Sequence, residues 1–368
     1  MIVQRKSPSG PLSGLRVVEF AGLGPGPFAC MMLSDMGAEV VTIDRPGAPP
    51  AHSAQCMKRG RTIVHADLKD AACLAGVLAL VDAADVLVEG YRPGVMERLG
   101  LGPEVLCERN PRLVYGRMTG WGQEGPLALT AGHDINYIAL AGALHAIGPA
   151  MGAPVPPLNL VGDYGGGSLY LLTGILAALH ERSHSGLGQV VDAAITDGVL
   201  SLLTQHIAAT ARSEHKPKRG ENVLDGGAPF YAVYETADGQ HVAVGALEPA
   251  FFAILCERIG VANELRDAQG DRSRWPLLRA EFDRIFQSRT RAEWQSLLQT
   301  SDACFAPVLS WQEASSHPQI QARKAFIEVD GVIQPAPAPR FSRTPSTVTQ
   351  GPPTRSCRIE EALERWRS

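Results

Sequence analysis

Residues 15–44 read LRVVEFAGLGPGPFACMMLSDMGAEVVTID, and this stretch decides the fold. Its opening run, Leu15–Phe20, is rich in apolar and β-branched residues and predicts a short strand. A glycine-rich loop follows, then a helical apolar pattern over Phe28–Met36, and then a second strand-like run over Ala38–Asp44. A strand, a helix and a strand in this order form a βαβ unit, so we expect a parallel sheet with helices on its faces.

The loop between the first strand and the first helix shares only part of the pattern of a dinucleotide-binding loop. Its glycines fall at positions 22, 24 and 26 rather than in the spacing GxGxxG. Pro25 and Pro27 also remove two backbone N–H donors where a pyrophosphate would need them. The loop therefore argues against a nicotinamide dinucleotide site.

The same alternation of strands and helices continues through the first two thirds of the chain. Strand-like runs recur at 62–65, 84–89, 113–120 and 188–194, with helical patterns at 168–182 and 197–211. We therefore predict an α/β fold whose large domain is doubly wound around a mostly parallel sheet.

A change in composition marks a second, smaller domain. Residues 213–229 are charged and glycine-bearing and read as a linker, and an Asp-Gly turn at Asp238 then joins two strand-like runs into a hairpin. Helical stretches and a proline-rich segment follow. The predicted division is a large domain over 1–212, the linker 213–229, a small α+β domain over 230–318, and a return to the large domain over 319–368.

Composition excludes several classes of function. At 368 residues, 45% of them hydrophobic, the chain is long enough for one large core and a smaller one. A net charge of −4 provides no basic field of the kind that nucleic-acid binding requires, and no apolar run is long enough for a membrane span. The seven cysteines are scattered and never in CxxC spacing, which argues against a disulfide framework or a zinc site and favours a reducing, cytoplasmic setting.

Two short runs carry candidate chemistry. The first, residues 131–137, contains His133 and Asp134 beside Gly132, and the second, residues 159–167, contains Asp163 ahead of three consecutive glycines. An imidazole and a carboxylate beside glycines, which let a substrate approach the backbone, are the groups that a proton-transfer site needs. The alternative is that His133 is a structural histidine and that Asp163 is only the N-cap of the helix that follows.

Cations occur near the predicted strand ends. Arg45 follows the second strand, Lys58–Arg61 precedes the third, and Arg92 follows the fourth. Parallel sheets bind ligands in the crevice at the carboxyl ends of their strands, where these cations would suit a phosphorylated, adenine-bearing group. Each of them is equally compatible with ordinary surface charge.

With these residues in view, the sequence resembles the α-methylacyl-CoA racemases, a branch of the family III CoA-transferase superfamily. The resemblance runs from about Leu12 to Pro339 and is carried by several runs in the same order. They include 23–28, 44–47, 92–97, 132–137, 224–231 and 244–249. The run Gly132–Tyr137 resembles the racemases rather than the transferases, whose site relies on an aspartate nucleophile without the histidine.

The resemblance implies a particular assembly and a particular site. It implies an interlocked homodimer in which the large domain of one subunit meets the small domain of its mate. His133 and Asp163 would then flank the α-carbon of an acyl-CoA, and Glu248 of the small domain would hydrogen-bond His133. The positions that it assigns or leaves as candidates for contact with substrate and coenzyme A are Arg45, Ala66, Asp67, Leu68, Lys69, Arg92, Ala131, Gly132, Ile135, Asn136 and Tyr137. From its local sequence alone, Glu248 is more readily interpreted as a solvent-facing acid at the end of a hairpin.

The predicted reaction interconverts (R)- and (S)-2-methylacyl-CoA by proton transfer through an enolate. His133 and Asp163 act in turn as base and acid, the amide of Asp134 stabilises the enolate oxygen, and Glu248 orients the imidazole. No metal, flavin or nicotinamide cofactor is needed, because no electron is transferred, and coenzyme A belongs to the substrate. The alternatives are a CoA transferase with Asp163 as nucleophile and an inactive CoA-binding module.

Overall fold

The computed structural model describes residues 9–49, 51–52 and 55–367. The chain forms two compact units. The first comprises residues up to Ala141, Leu158–Leu202 and the chain from Pro318 onward, and the second comprises Gly142–Pro157 and Leu203–His317. Within the described ranges, no helix is both long and apolar enough to cross a membrane.

The described residues form twelve strands. In chain order they are β1 (Arg16–Phe20), β2 (Glu39–Asp44), β3 (Arg61–His65), β4 (Val86–Glu89), β5 (Val114–Thr119), β6 (Val190–Ala194), β7 (Tyr231–Glu235), β8 (His241–Gly245), β9 (Phe305–Pro307), β10 (Phe326–Val329), β11 (Val332–Pro335) and β12 (Ser356–Cys357).

The same residues form fifteen α-helices, together with short 3-10 turns and one π-helical segment, Leu160–Ser168. The helices are α1 (Pro25–Asp35), α2 (Ala71–Asp82), α3 (Val95–Arg98), α4 (Pro103–Arg109), α5 (Asp134–Leu140), α6 (Ala143–Ala146), α7 (Leu169–Ser185), α8 (Ile195–Leu202), α9 (Thr204–Ala211), α10 (Pro249–Ile259), α11 (Trp275–Phe286), α12 (Arg291–Leu298), α13 (Trp311–Ser316), α14 (Pro318–Ala322) and α15 (Ile359–Arg367).

The first unit is built on a seven-stranded sheet in the order β12-β3-β2-β1-β4-β5-β6. Each neighbouring pair in this sheet is parallel. From β1 the chain moves outward through β2 and β3 on one side, and then through β4, β5 and β6 on the other. The direction of winding therefore reverses between β1 and β4, and a crevice is expected at the carboxyl ends of these two strands. The α/β prediction with a doubly wound sheet is confirmed.

Helices cover both faces of this sheet. On one face the apolar side chains of β1, β2 and β4 pack with α2 and α15 in a core that includes Val18, Leu80 and Trp366. On the other face α7 lies so close to β5 that a Cβ at Gly116 would come within 3.0 Å of Leu171. Strands buried on both sides explain the near-continuous apolar runs seen in the sequence.

Two buried ion pairs lie among the strands. Arg61 at the start of β3 bonds Glu19 of β1 at 2.9 Å, and Arg117 of β5 bonds Glu89 at the end of β4 at 3.1 Å. Each arginine also makes a further contact, because Arg61 donates to the carbonyl of Pro27 and Arg117 bonds Glu97. The charges of these buried groups are thus neutralised within the sheet.

The second unit contains an antiparallel sheet in the order β7-β8-β9 and a core rich in aromatic rings. The ring of Tyr234 on β7 stacks on Phe286 of α11 at a centroid distance of 5.0 Å, and Trp294 of α12 packs on Phe286. The predicted hairpin over β7 and β8 is present, with its turn at Asp238. A strand that the sequence did not indicate, β9, pairs with β8.

The structure departs from the sequence predictions in several places. The helix expected at 197–211 is two helices, α8 and α9. The beginning of the proline-rich segment completes the hairpin of β10 and β11 across an Asp330-Gly331 turn, a strand pairing that the sequence did not indicate. Residues 142–157 and 203–212, which the sequence prediction assigned to the large domain, group with the second unit, and the predicted division into domains stays a prediction.

Candidate active site

A cleft of about 520 Å³ opens at the carboxyl end of the parallel sheet. Its walls come from the ends of β1, β4 and β5, from the glycine-proline loop (residues 22–27), which runs into the first turn of α1, and from the segment that leads into α5. All of its lining residues belong to the first unit. The cleft therefore lies where the reversal of strand order predicts a binding site.

His133 lines this cleft and stands immediately before α5. Its backbone is held from two sides, since its N–H donates to the side chain of Asn136 at 3.1 Å and its carbonyl accepts the N–H of Asn136 at 2.8 Å. The preceding Gly132 packs against Trp121 and Tyr137, and the Tyr137 hydroxyl donates to the Gly132 carbonyl. The imidazole is thus attached to a fixed stretch of backbone.

Asp163 also lines the cleft, from within the π-helical segment that leads into α7. The prediction placed Asp163 a turn ahead of a helix beginning near Ser168, but the helical path already begins at Leu160. Close packing explains why glycines fill this segment. A Cβ at Gly166 would come within 2.7 Å of Val199, and one at Gly198 of α8 would overlap the Gly166 carbonyl.

The backbones that carry His133 and Asp163 are joined through Asp134. The buried carboxylate of Asp134 accepts the backbone N–H of Asp163 at 2.7 Å. Because Asp134 is the residue next to His133, the hydrogen bond from Asp163 to Asp134 holds the backbone at His133 close to the backbone at Asp163. In the structure, the side chain of Asp134 therefore positions Asp163.

Burial raises the pKa of the Asp163 carboxyl above its usual value. A hydrogen bond from the Asn159 side-chain amide to Asp163 Oδ2, 3.3 Å long, lowers the pKa, the charge of Asp134 raises it, and a positive charge on His133 lowers it. The electrostatic effect of His133 indicates that the two groups are close enough to interact within the cleft. A carboxyl with a raised pKa holds a proton more readily and is a stronger base when ionised.

The glycine-proline loop approaches Asp163 closely. Gly24 has a φ of +68°, and a Cβ at this position would lie 2.9 Å from Asp163 Oδ2. Only glycine adopts this backbone conformation without strain. Gly24 thus leaves room for the carboxylate, a role that its sequence context alone did not predict.

We expect Gly24→Ala to lower turnover by about 10²-fold, because the added methyl group displaces the Asp163 carboxylate from its working position. The matched control is Gly22→Ala, since a Cβ at Gly22 has no neighbour closer than 4.0 Å and φ there is not positive. Steady-state kinetics of both purified variants measure the difference. Equal activities for the two variants would show that the approach of Gly24 to Asp163 has no catalytic consequence.

Replacing Asn159 with leucine is expected to shift the pH dependence of kcat/KM. The lost hydrogen bond had favoured the ionised carboxylate, so the pKa of Asp163 rises further and the carboxylate becomes available as a base only at higher pH. In the predicted racemisation, the acid limb of kcat/KM should therefore move to higher pH by the same amount in both directions, because the ratio of the two kcat/KM values equals an equilibrium constant that does not change with pH. An unchanged acid limb would contradict the role of Asn159.

Some of the other predicted site residues line the cleft, and others lie outside it. Arg92, Ala131, Gly132 and Tyr137 line the cleft with His133 and Asp163. Asn136 lines a neighbouring shallow recess with Ala131, and Ile135 is exposed. The remaining coenzyme A candidates of the first unit do not line the cleft and follow the carboxyl ends of β2 and β3, namely Arg45, Ala66, Asp67, Leu68 and Lys69.

Other predicted residues lie elsewhere. Glu248 belongs to the second unit, where it is the exposed N-cap residue of α10, so its bond to His133 stays a prediction. Arg59 is buried in an ion pair with Asp35, and Arg61 is paired with Glu19. Both cations therefore stabilise buried carboxylates in the protein interior. Among the described residues, no cluster of three or more His, Cys, Asp or Glu side chains could hold a metal ion.

The chain is similar in sequence to proteins of one family. The sequence model of CoA-transferase family III matches residues 12–356. The chain is 44% identical to the alpha-methylacyl-CoA racemase of Mus musculus over 337 residues, which cover 91% of this chain and 87% of the relative. It is 42% identical to the alpha-methylacyl-CoA racemase of Homo sapiens over 336 residues, with the same two coverages of 91% and 87%.

A solved structure is similar over nearly the whole chain. The crystal structure of Rv3272 from M. tuberculosis in its orthorhombic form superimposes with a TM-score of 0.80 at 30% identity. The match covers 94% of this chain and 97% of the other. Sequence and fold thus agree on the same group of proteins.

Proposed function

The chain belongs to CoA-transferase family III, and from that premise we propose that it is a racemase that interconverts (R)- and (S)-2-methylacyl-CoA thioesters. The family match and the two racemases at more than 40% identity support this reading, as does the resemblance carried by Gly132–Tyr137. The proposed reaction moves one proton from each substrate molecule and returns another to the opposite face of the same carbon.

The observation that carries the proposal is that His133 and Asp163 line one cleft, on backbones joined by the bond between Asp134 and Asp163. Inversion at a carbon requires an acid/base group on each side of it. From one enantiomer, neutral His133 takes the α-proton while protonated Asp163 donates, and from the other enantiomer the roles reverse. The raised pKa of Asp163 favours this exchange of roles, because the carboxyl is then protonated more often and is a stronger base when ionised.

The enolate formed between the two proton transfers needs a hydrogen-bond donor at its oxygen. Each acid or base contributes about 10²–10⁴-fold in rate, which is too little for so weak a carbon acid. Asp134 is the first residue of α5, and the N–H groups of the first turn have no partner within their own helix. We assign the enolate oxygen to the backbone N–H of Asp134, a type of interaction worth about 3–4 kcal/mol in oxyanion holes.

The coenzyme A part of the substrate is assigned to the sheet edge beside the cleft. Arg45 follows β2, residues 66–69 follow β3, and Arg92 follows β4, so cations and turns at three strand ends are available to the phosphates. Glu248 of a second copy would orient His133 in a homodimer, as the resemblance implies. The proposed chemistry transfers protons only and so requires no cofactor, and the scattered cysteines favour a cytoplasmic setting.

One assay separates this proposal from a CoA transferase that uses Asp163 as its nucleophile. A single enantiomer of a 2-methylacyl-CoA is incubated in D₂O without any acceptor acid, and the α-proton and the configuration are followed together. We expect exchange accompanied by inversion. Absence of exchange, together with CoA transfer once a second carboxylic acid is added, would overturn the racemase proposal in favour of the transferase.

A further inference from the structure

Two histidines lie on the outer surface of the last turns of α7, away from the cleft residues. His180 and His184 are one helical turn apart, and both are exposed. Residues at this spacing project from the same face of a helix. Arg182, between them in sequence, is buried and bonds Asp85, so the histidines occupy the opposite, solvent side.

The two imidazoles are close together and one of them is already oriented. Their ring centroids are 4.9 Å apart. His184 Nδ1 lies 3.0 Å from the carbonyl oxygen of His180, and because a carbonyl oxygen only accepts, Nδ1 must carry the hydrogen. In the neutral ring the lone pair is then on Nε2. Histidines that bind metals commonly donate their other ring N–H to a carbonyl in this way.

The charges around this histidine pair favour a cation. The pair lies near the C-terminal end of a 17-residue helix, where the helix dipole is negative. Glu181 adds a carboxylate on the exposed side, while the positive charge of Arg182 is compensated by Asp85. In the portion of the chain that the structure describes, no hydrogen bond engages His184 Nε2 or the ring nitrogens of His180.

We propose that His180 and His184 chelate a divalent late first-row transition ion, with water completing its coordination. Imidazole nitrogens suit Cu²⁺, Ni²⁺ and Zn²⁺, and the general affinity order predicts that Cu²⁺ binds more tightly than the other two. The described residues bring no third His, Cys, Asp or Glu ligand to the pair, so the site keeps open positions. It is an exchangeable site at the surface rather than a closed structural one.

The proposed metal site and the catalytic cleft are independent. His180 lies eleven residues after Leu169 in the same helix, a rise of about 17 Å at 1.5 Å per residue, and Asp163 precedes that helix. A metal ion at the pair is therefore expected to hold the last turns of α7 and to leave proton transfer in the cleft unchanged. Loss of racemisation in the assay above would not bear on this site.

The test is a titration of the full, untagged chain with Cu²⁺, followed by electron paramagnetic resonance and by calorimetry. We expect one bound ion whose spectrum shows two imidazole nitrogens. In His180→Ala or His184→Ala the affinity should fall at least about tenfold, since loss of an outer-shell partner alone typically costs that much. The double variant should lose this ion altogether while keeping wild-type turnover in metal-free buffer.

The matched control is the other close histidine pair, His206 and His215, whose centroids are 5.6 Å apart and which do not share one helix. His206→Ala/His215→Ala should retain the two-nitrogen spectrum. The proposal is overturned if the His180→Ala/His184→Ala double variant binds Cu²⁺ with the wild-type isotherm and spectrum, or if the control double variant removes that spectrum instead.

Discussion

Asp163→Asn is expected to lower racemisation by about 10²–10⁴-fold, because it removes one of the two groups that we propose exchange protons with the α-carbon. The asparagine side chain has the same shape, and the backbone N–H of residue 163 can still donate to Asp134, so the fold is retained. The measurement is the rate of inversion for each enantiomer, taken from chiral analysis of the acyl-CoA.

The same variant should separate exchange from inversion. His133 remains able to take a proton from its own side and to return deuterium there, so in D₂O one enantiomer should exchange its α-proton faster than it inverts. The other enantiomer, whose proton Asp163 removes, should do neither. The mirror-image result is expected for His133→Ala. If Asp163→Asn abolished exchange from both enantiomers equally, the assignment of one group to each face of the carbon would be wrong.

Arg61→Met is expected to destabilise the first unit by about 3–5 kcal/mol, because it leaves the buried carboxylate of Glu19 without its partner. Both side chains are almost fully inaccessible to solvent. Thr42 also donates to Glu19, so Arg61 is part of a network that links β1, β2 and β3. Hydrogen exchange of amides in these strands, measured by mass spectrometry, reports the opening free energy of this unit separately from the second one.

The control for this prediction removes both charges. Arg61→Met/Glu19→Leu should recover much of the loss, since replacing a whole buried ion pair by apolar groups is often neutral. Turnover should fall in the single variant as well, because Arg61 donates to the Pro27 carbonyl at 2.6 Å and so holds the end of the glycine-proline loop. A cost below about 1 kcal/mol for Arg61→Met would place this pair in the range of surface ion pairs and contradict its importance.

The parallel sheet could be predicted because its central strands are buried on both faces. Val17, Val18 and Phe20, like Leu87 and Val88, are almost wholly inaccessible, and such burial produces apolar runs that a sequence reveals directly. The strand β12 carried no such signal, since it is two residues long and forms only by pairing with β3. The turn Asp330-Gly331 was a usable signal for the hairpin of β10 and β11, but the prolines around it obscured the strands.

The candidate site, too, could be predicted only in part from the sequence. His133 and Asp163 could be selected because their residue types and neighbouring glycines suit proton transfer, and the structure brings both to one cleft. The contributions of Gly24 and Asn159 could not be foreseen, because each acts by its distance from the Asp163 carboxylate. The π-helical path was hidden as well, since three consecutive glycines normally indicate a break in a helix, and here they permit close packing against α8.

The position of β12 at the edge of the sheet has a consequence for biosynthesis. β3 ends at His65, whereas its outer neighbour begins at Ser356, so a ribosome makes nearly everything else before that edge can be covered. Until then the nascent chain presents an unpaired strand that other chains could join. Contacts between such distant residues also close slowly. We therefore expect chains shortened before Ser356 to aggregate more readily than the full chain.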